Sequence, residues 1–397
     1  MKKHLIAFAC ALLSAGTLGA TPLAHDDELE GGLLTSFANR ALERAMKPQP
    51  ADSLPMRKQF GRDLTDWVSA PKLGAYYTGG YKYSNEKGKH GGPGFNTRLI
   101  RAYVSGTLLK YVDYRVQMAL QGTVHLKDAY IEYRQLQPFR IKIGQFKRPF
   151  SYENPMNPWD VGLADYSQLT KKMSGFSDHT ATEYGGSNGG RDLGVQVQGD
   201  FLRVKWGKTA HPLFHYQLGV FNGQGINTSD TNGDKDIIGT LQLQPLKDLS
   251  LGVFAWNGTY TAQGVKAYRR RWAAGLNWNR KGWMLRSEYA HHRGLTVADI
   301  RALGPAEQTF HNKTCHGVAQ AWYALLGVPC TPWLNVVAKW DCYTPADGWA
   351  GRNEILSLAP NFRLHKDLMF TLQWNFVNNH IIKQHHHELW CMAWVRI

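Results

Sequence analysis

The sequence predicts an all-β fold, a 16-stranded antiparallel transmembrane β-barrel with a long third loop folded inward. Three observations lead there. The chain opens with an export signal, it then alternates apolar and polar side chains over sixteen segments, and the connections between those segments alternate short and long.

The export signal comes first. Lys2 and Lys3 precede an apolar run from Leu5 to about Leu18 that ends in Gly19 and Ala20, the layout of a secretory signal peptide over residues 1–20. Cys10 lies inside the apolar run, which continues past it, so lipidation is the weaker reading. No later stretch is long and apolar enough for a spanning helix. An exported chain of negative mean hydropathy is then periplasmic, secreted or a barrel, in which only alternate residues face lipid.

Residues 21–70 read as a partly helical periplasmic leader. Leu33, Leu34, Phe37, Leu42, Ala45 and Met46 recur at near-helical spacing until Pro48, Pro50 and Pro55 break the pattern. A short coiled-coil or partner-docking role is the alternative, because an apolar stripe must be covered.

From 71 to 397 the chain is the barrel. The first eight segments are Lys72 to Tyr83, Phe95 to Leu108, Tyr114 to Gly122, Lys127 to Gln135, Phe139 to Phe146, Arg191 to Val204, Pro212 to Asn222 and Asp236 to Gln244. The second eight are Leu249 to Thr261, Tyr268 to Arg280, Trp283 to Arg293, Gly317 to Leu326, Pro332 to Tyr343, Arg352 to Leu364, Leu368 to Asn378 and His387 to Ile397. In the fifteenth, Phe370, Leu372, Trp374 and Phe376 alternate with Thr371, Gln373 and Asn375, an aromatic lipid face behind an amide water face. Turn-like links such as Lys281 to Gly282 and His365 to Asp367 alternate with long ones such as Gly294 to His316, the order of periplasmic turns and external loops. Cys315 and Cys330 fall at opposite ends of one strand, about 30 Å apart and far beyond disulfide reach.

The chain carries 46 Lys plus Arg against 31 Asp plus Glu, a net charge of +15, which points to anionic partners. In an exported barrel those are small anions or other small hydrophilic solutes and membrane lipid, with no nucleic acid. By alternation Arg101, Arg115, Arg140, Lys142, Arg269, Arg271 and Lys339 face the lumen, against Asp128, Glu132, Asp192, Asp200, Glu288 and Asp341. Arg and Lys ladders favour anions in a pore, and Arg is the planar partner for phosphate oxygens. The 44 residues from Lys147 to Gly190 form a loop far longer than a hairpin needs, rich in Phe150, Tyr152, Trp159 and Tyr166. Its charges, Lys147, Arg148, Glu153, Asp160, Lys171 and Lys172 among them, are mixed, so it narrows the pore without forming a basic plug. Two readings of the lumen charges stand side by side: a track for anions, and pairs that fix the loop as in a general-diffusion channel.

The segments FRIKIGQFKRPFSYENP, GRDLGVQVQGD and HYQLGVFNGQGIN, followed by Asp230 and Asn232 before Lys235 and Asp236, resemble the phosphate-selective porin O and P family, in its Bacteroidetes-like version. That resemblance implies a bacterial outer-membrane porin, a homotrimer, and a third loop in the pore. Such barrels usually end in an aromatic residue, whereas this sequence ends in Trp394, Val395, Arg396 and Ile397, with Ile397 apolar on the expected face. The family's phosphate-site residues have no one-to-one match here.

Other constellations are weaker. Asp230, Asn232, Asp234 and Asp236 resemble a calcium loop, but Lys235 stands at the turn-glycine position and Leu241 where the closing carboxylate belongs, so an Asx-rich turn is expected. His385, His386 and His387 are placed in an external loop as solvated side chains. No GxSxG or CxxC occurs, and no spacing selects a catalytic set, a metal site or a cofactor. A barrel enzyme or adhesin, or a secreted glycan-binding β-sandwich, remains as the competing class.

Overall fold

The computed structural model describes residues 69–86, 93–181, 189–206, 209–262, 264–308 and 317–397. The expected signal peptide, the expected leader up to residue 68, and Cys315 lie outside them.

Sixteen strands occupy the segments that alternate in sequence. In the first half these are β1 (Lys72–Ser84), β2 (Gly94–Leu108), β3 (Val112–Ala119), β4 (His125–Leu136), β5 (Phe139–Lys147), β6 (Arg191–Trp206), β7 (Thr209–Phe221) and β8 (Asp236–Leu246). In the second they are β9 (Leu249–Ala262), β10 (Val265–Arg280), β11 (Trp283–Arg293), β12 (Val318–Pro329), β13 (Leu334–Thr344), β14 (Asn353–His365), β15 (Leu368–Asn379) and β16 (Gln384–Arg396). Each strand pairs antiparallel with the next, and β1 pairs with β16, so the sheet closes and no edge is left unpaired.

Burial is inverted relative to a water-soluble protein. Phe370, Leu372 and Trp374 are exposed on the outside, whereas Thr371, Gln373 and Asn375 between them are buried. The same holds around the ring, where Ile143, Val195, Val220, Val253, Trp272 and Leu358 face out. Apolar side chains at such positions are stable only in lipid. The closure on the turn side is tight: Lys281 and Gly282 join β10 to β11 with φ of 50° and 88°, the paired positive φ of a type I′ hairpin.

One expectation is corrected. His385, His386 and His387 lie in β16 and not in a loop. Pairing with Val377 and Phe376 of β15 extends the strand over them, and His387 stacks on Trp374 at 5.8 Å. The Asp230 region is an Asx turn: Asp230 Oδ1 accepts the Gly233 amide at 2.9 Å and Lys235 bonds its other oxygen. Cys330, Cys342 and Cys391 are free thiols.

Two bulges re-aim side chains. The β1–β2 register slips at Thr78/Gly79, leaving Arg98 as the extra residue, and the β3–β4 register slips at Gln117/Met118, leaving Lys127.

Candidate functional site

The connection between β5 and β6 is tied to inward-facing side chains of β9–β16. Its apolar residues begin the attachment: Phe150 and Tyr152 pack edge-on against Phe254 and Trp256 of β9. Polar ties follow in chain order. The Tyr152 amide donates to Glu288 at 2.8 Å, and Glu288 also accepts from Tyr323 and Ser151. Asn361 donates to the Gly162 carbonyl at 2.8 Å, and the Ala164 amide donates to Gln373 at 2.7 Å. Helix α1 (Gln168–Met173) starts at the cap Ser167 and gives its Gln168 amide to Asp341 at 2.8 Å. His179 meets the Tyr343 hydroxyl at 2.7 Å. A buried backbone needs such partners, and inward polar residues on the strands supply them.

Charges close both ends of this segment onto one ring. Arg148, Arg269 and Arg271 lie with guanidinium carbons 4.7, 5.0 and 4.7 Å from the centroid of Trp256. Three carboxylates balance them: Asp192 on Arg148 at 3.4 Å, Asp236 on Arg269 at 3.0 Å, and Asp178 on Arg271 at 2.7 Å. Asp236 also accepts the Trp256 indole N–H at 2.8 Å. Burial would raise the Asp178 carboxyl, but Arg271 outweighs it and holds that group well below the usual carboxylate range. Burial and then Arg271 lower His179 to about 4. Farther along, Arg286 faces Glu153 at 3.6 Å and Lys339 faces Asp341 at 3.3 Å.

The wall formed by β2–β5 differs. Arg98 meets Asp165 of the loop at 2.6 Å, Arg191 holds Asp128 through two bonds of 2.8 and 3.0 Å, Lys142 meets Glu132 at 3.1 Å, and Arg140 meets Asp200 at 3.0 Å. Arg101, Arg115, Lys127 and Lys147, by contrast, have no carboxylate within 4.0 Å among the described residues. Arg101 bonds Gln121 at 2.9 Å, Arg115 lies 4.0 Å from the Tyr103 ring centroid, and Lys147 donates to the Met156 carbonyl at 2.6 Å. Arg101, Lys127, Lys147 and Arg191 are close enough to repel one another. Opposite them the loop presents Tyr166, Asp165 and Lys171. Burial acts against the charge of Asp165, but Lys171 at 2.8 Å and Arg98 hold its carboxyl well below the usual range.

The lumen candidates therefore separate. Arg101 and Arg115 belong to the uncompensated wall, Arg140 and Lys142 are in partly exposed pairs, and Arg269, Arg271 and Lys339 are sealed in ion pairs beneath the loop, 1 %, 4 % and 4 % exposed. Within the loop, Arg148 and Glu153 are buried ties, Lys171 pairs with Asp165, Lys172 lies near the Tyr343 ring, and Asp160 is exposed on the single-turn helix Pro158–Asp160. Lys127, Arg98 and Arg191 were not among the candidates. The first two are displaced by bulges that alternation cannot register, and Arg191 turns inward at a strand end.

Comparisons with known proteins agree with this geometry. The sequence profile of the family described as phosphate-selective porin O and P matches residues 72–267. A search of curated proteins finds no match. Among solved structures, an anion-selective porin from Comamonas acidovorans is similar with a TM-score of 0.62 at 13 % identity, covering 83 % of this chain and 99 % of that one. OmpT of Vibrio cholerae aligns with a TM-score of 0.54 at 10 % identity over 82 % of this chain and 97 % of its own. OmpF of Salmonella typhi aligns with 0.53 at 9 % identity over the same shares of 82 % and 97 %. Over residues 72–267 the chain matches the phosphate-selective porin O and P family, and with its closed sixteen-stranded barrel it is a porin of the bacterial outer membrane.

Proposed function

We propose that this porin lets small hydrophilic solutes diffuse passively with a preference for anions, phosphate among them, and that the anions move along the β2–β5 wall past the loop face carrying Tyr166. The observation that carries the reading is the uneven charge pairing: Arg101, Arg115, Lys127 and Lys147 lack a carboxylate within 4.0 Å among the described residues, while the cations under the loop are each matched. An unmatched cation about 4 Å from a passing anion lowers its energy by about 1 kcal/mol at the dielectric of water, roughly fivefold in permeability. The anion preference printed for the Comamonas acidovorans porin supports the same reading. Permeation of this kind involves no catalytic step.

The test is the reversal potential of the purified protein in a planar bilayer under a salt gradient, in chloride and then in phosphate. Arg101→Gln and Lys127→Gln each lower the anion-to-cation permeability ratio several-fold, whereas Arg140→Ala and Lys142→Ala, which remove cations already paired, change it less. A wild-type preference for cations refutes the reading. The second reading, a general-diffusion porin, is favoured by the number of lumen ion pairs, and a weak preference untouched by all four substitutions selects it.

The assembly reading is a homotrimer, as in the trimer form described for Vibrio cholerae OmpT. Residues 1–20 act as a signal peptide and 21–70 as a periplasmic leader. Heat-dependent gel migration of the protein extracted from membranes, together with its N-terminal sequence, tests both.

A further inference from the structure

Register sets one level of inward side chains across β13–β16. Lys339 is opposite Ser357, Ser357 opposite Asn375 and Asn375 opposite Glu388, while Lys82 of β1 is opposite Trp390. The loop does not fill the space in front of them. A recess of about 240 Å³ remains between these strands, Lys82 and the loop residues Asp165 and Lys171. At about 30 Å³ for each water it holds the volume of about eight waters, room for a solute of amino-acid size.

The ring of Trp390 gathers charges here as Trp256 does beneath the loop. Lys82 lies 4.2 Å from its centroid and Arg98 5.9 Å. Lys82 meets Glu388 at 2.9 Å, Arg98 meets Asp165 at 2.6 Å, and Asp165 also meets Lys171 at 2.8 Å. The Trp390 indole and the Asn375 amide each donate to Glu388 at 3.1 Å, which fixes that carboxylate. The difference is access to water. The pairs around Trp256 are sealed, whereas Lys82, Asp165 and Lys171 keep 28 %, 28 % and 32 % of their side-chain surface exposed. Each ammonium has three N–H groups and meets a single carboxylate among the described residues, and each carboxylate offers about four acceptor positions. Both signs therefore keep unused hydrogen-bonding capacity toward the recess. Cations and carboxylates alternate there, so an ion of one sign meets attraction and repulsion together. A solute carrying both charges on neighbouring carbons can lie antiparallel to an ion pair and gain from each. Trp390 is a poor platform for a sugar, since Lys82 stands over the ring and the ring packs on the cluster of Trp159, Met369, Met392 and Trp394.

We infer that this recess binds the charged head of a zwitterionic α-amino acid, its carboxylate on Lys82 and Lys171 and its ammonium on Asp165 and Glu388. The inference rests on the channel reading for the route by which the solute arrives, and it adds a net-neutral solute class beside a path that favours anions.

Saturation-transfer NMR of the detergent-purified barrel at neutral pH tests it and reads binding whether or not the barrel selects anions. The probes are L-alanine, N-acetyl-L-alanine, which keeps only the carboxylate, and L-alaninamide, which keeps only the ammonium. The wild type binds L-alanine about tenfold more tightly than either derivative, the factor of one charge-assisted contact. Lys82→Gln/Lys171→Gln weakens L-alanine binding about tenfold without weakening L-alaninamide, and Asp165→Asn/Glu388→Gln weakens it likewise without weakening N-acetyl-L-alanine. No binding of L-alanine by the wild type, or equal binding of L-alanine and N-acetyl-L-alanine, overturns the inference. So does unchanged L-alanine binding in either double variant. The comparison of probes on the wild type depends on no variant's folding, and heat-dependent gel migration shows whether the variants are folded barrels. Reversal potentials bear on the anion preference alone, so the two readings fail separately.

Discussion

Replacing Arg271 by alanine tests how the loop is held. Arg271 donates to Asp178 through two bonds of 2.7 Å, to the Met173 carbonyl at 2.7 Å and to Thr180 at 2.9 Å, with both charged side chains sealed from water. Removing one partner of such a pair leaves an uncompensated buried charge, at about 3–5 kcal/mol. The barrel ladder does not depend on this pair, so the loss falls on local opening of the loop. Its opening equilibrium rises by roughly two to four orders of magnitude. Hydrogen exchange of peptides covering 168–181 reads this directly, with the β12–β16 peptides as the internal reference. The pH dependence supplies a signature. In the wild type the depressed Asp178 pKa contributes stability that is present above the unfolded value near 4 and lost only as pH falls through the still lower folded value. Without Arg271 only Arg269 and Arg148 oppose burial, so the Asp178 pKa moves up and this pH-dependent contribution to the closed loop shrinks. The double variant Arg271→Met/Asp178→Leu recovers most of the protection. Unchanged exchange at 168–181 in Arg271→Ala refutes the account.

Three further outcomes follow from other residues. His179, flanked by Arg271, Asp178, Tyr343 and His292, has its pKa lowered to about 4, so its contribution is complete above about 6.5 and is lost as pH falls toward 4, up to roughly 3 kcal/mol. The protection factor at 168–181, that is, exchange corrected for its intrinsic pH dependence, therefore falls between pH 7 and pH 5 in the wild type and less in His179→Gln, and a flat wild-type protection profile is the contrary result. Gly144 has φ of 129° and a Cβ there would collide with the Ala129 carbonyl, so Gly144→Ala costs about 1–3 kcal/mol and lowers the yield of heat-modifiable barrel; an unaltered yield contradicts this. Cys330 is exposed in the turn between β12 and β13 while Cys342 is buried, so an impermeant maleimide labels Cys330 only after the outer membrane is opened. Labelling of Cys330 on intact cells would invert the barrel.

Strand number and facing were legible because a barrel strand buries alternate residues along its whole length, and that period survives in one sequence. Arg269 and Arg271 were placed inward for this reason, yet their role was not, since Asp178 lies 93 positions from Arg271 and only the folded loop brings them together. Lys127 and Arg98 were missed because each is the extra residue of a bulge, where the two-residue period fails by one. The β16 histidines were misplaced because histidine has no clear strand preference. Their fit on Trp374 and Phe376 is a cross-strand property that only pairing reveals.

The division of charge between the two walls has a physical logic. A loop buried inside a barrel must bring its charges out of water, at several kcal/mol each unless they are paired. The anchoring wall is accordingly neutral, with three arginines and three aspartates around Trp256 and further pairs at Arg286 and Lys339. A path that favours one sign of ion has the opposite requirement, because a paired cation offers a passing anion little field. The two demands exclude each other on the same strands, and the chain separates them: the loop is tied to β9–β16, and the unmatched cations stand on β2–β5. Arg98 and Asp165 join the two sides where the loop crosses toward β2. Size exclusion alone would be served equally well by a neutral β2–β5 wall. Holding Arg101, Arg115, Lys127 and Lys147 together around Asp128, which is already bonded to Arg191, costs stability through their mutual repulsion, and in the proposed reading attraction of anions gives that cost a purpose.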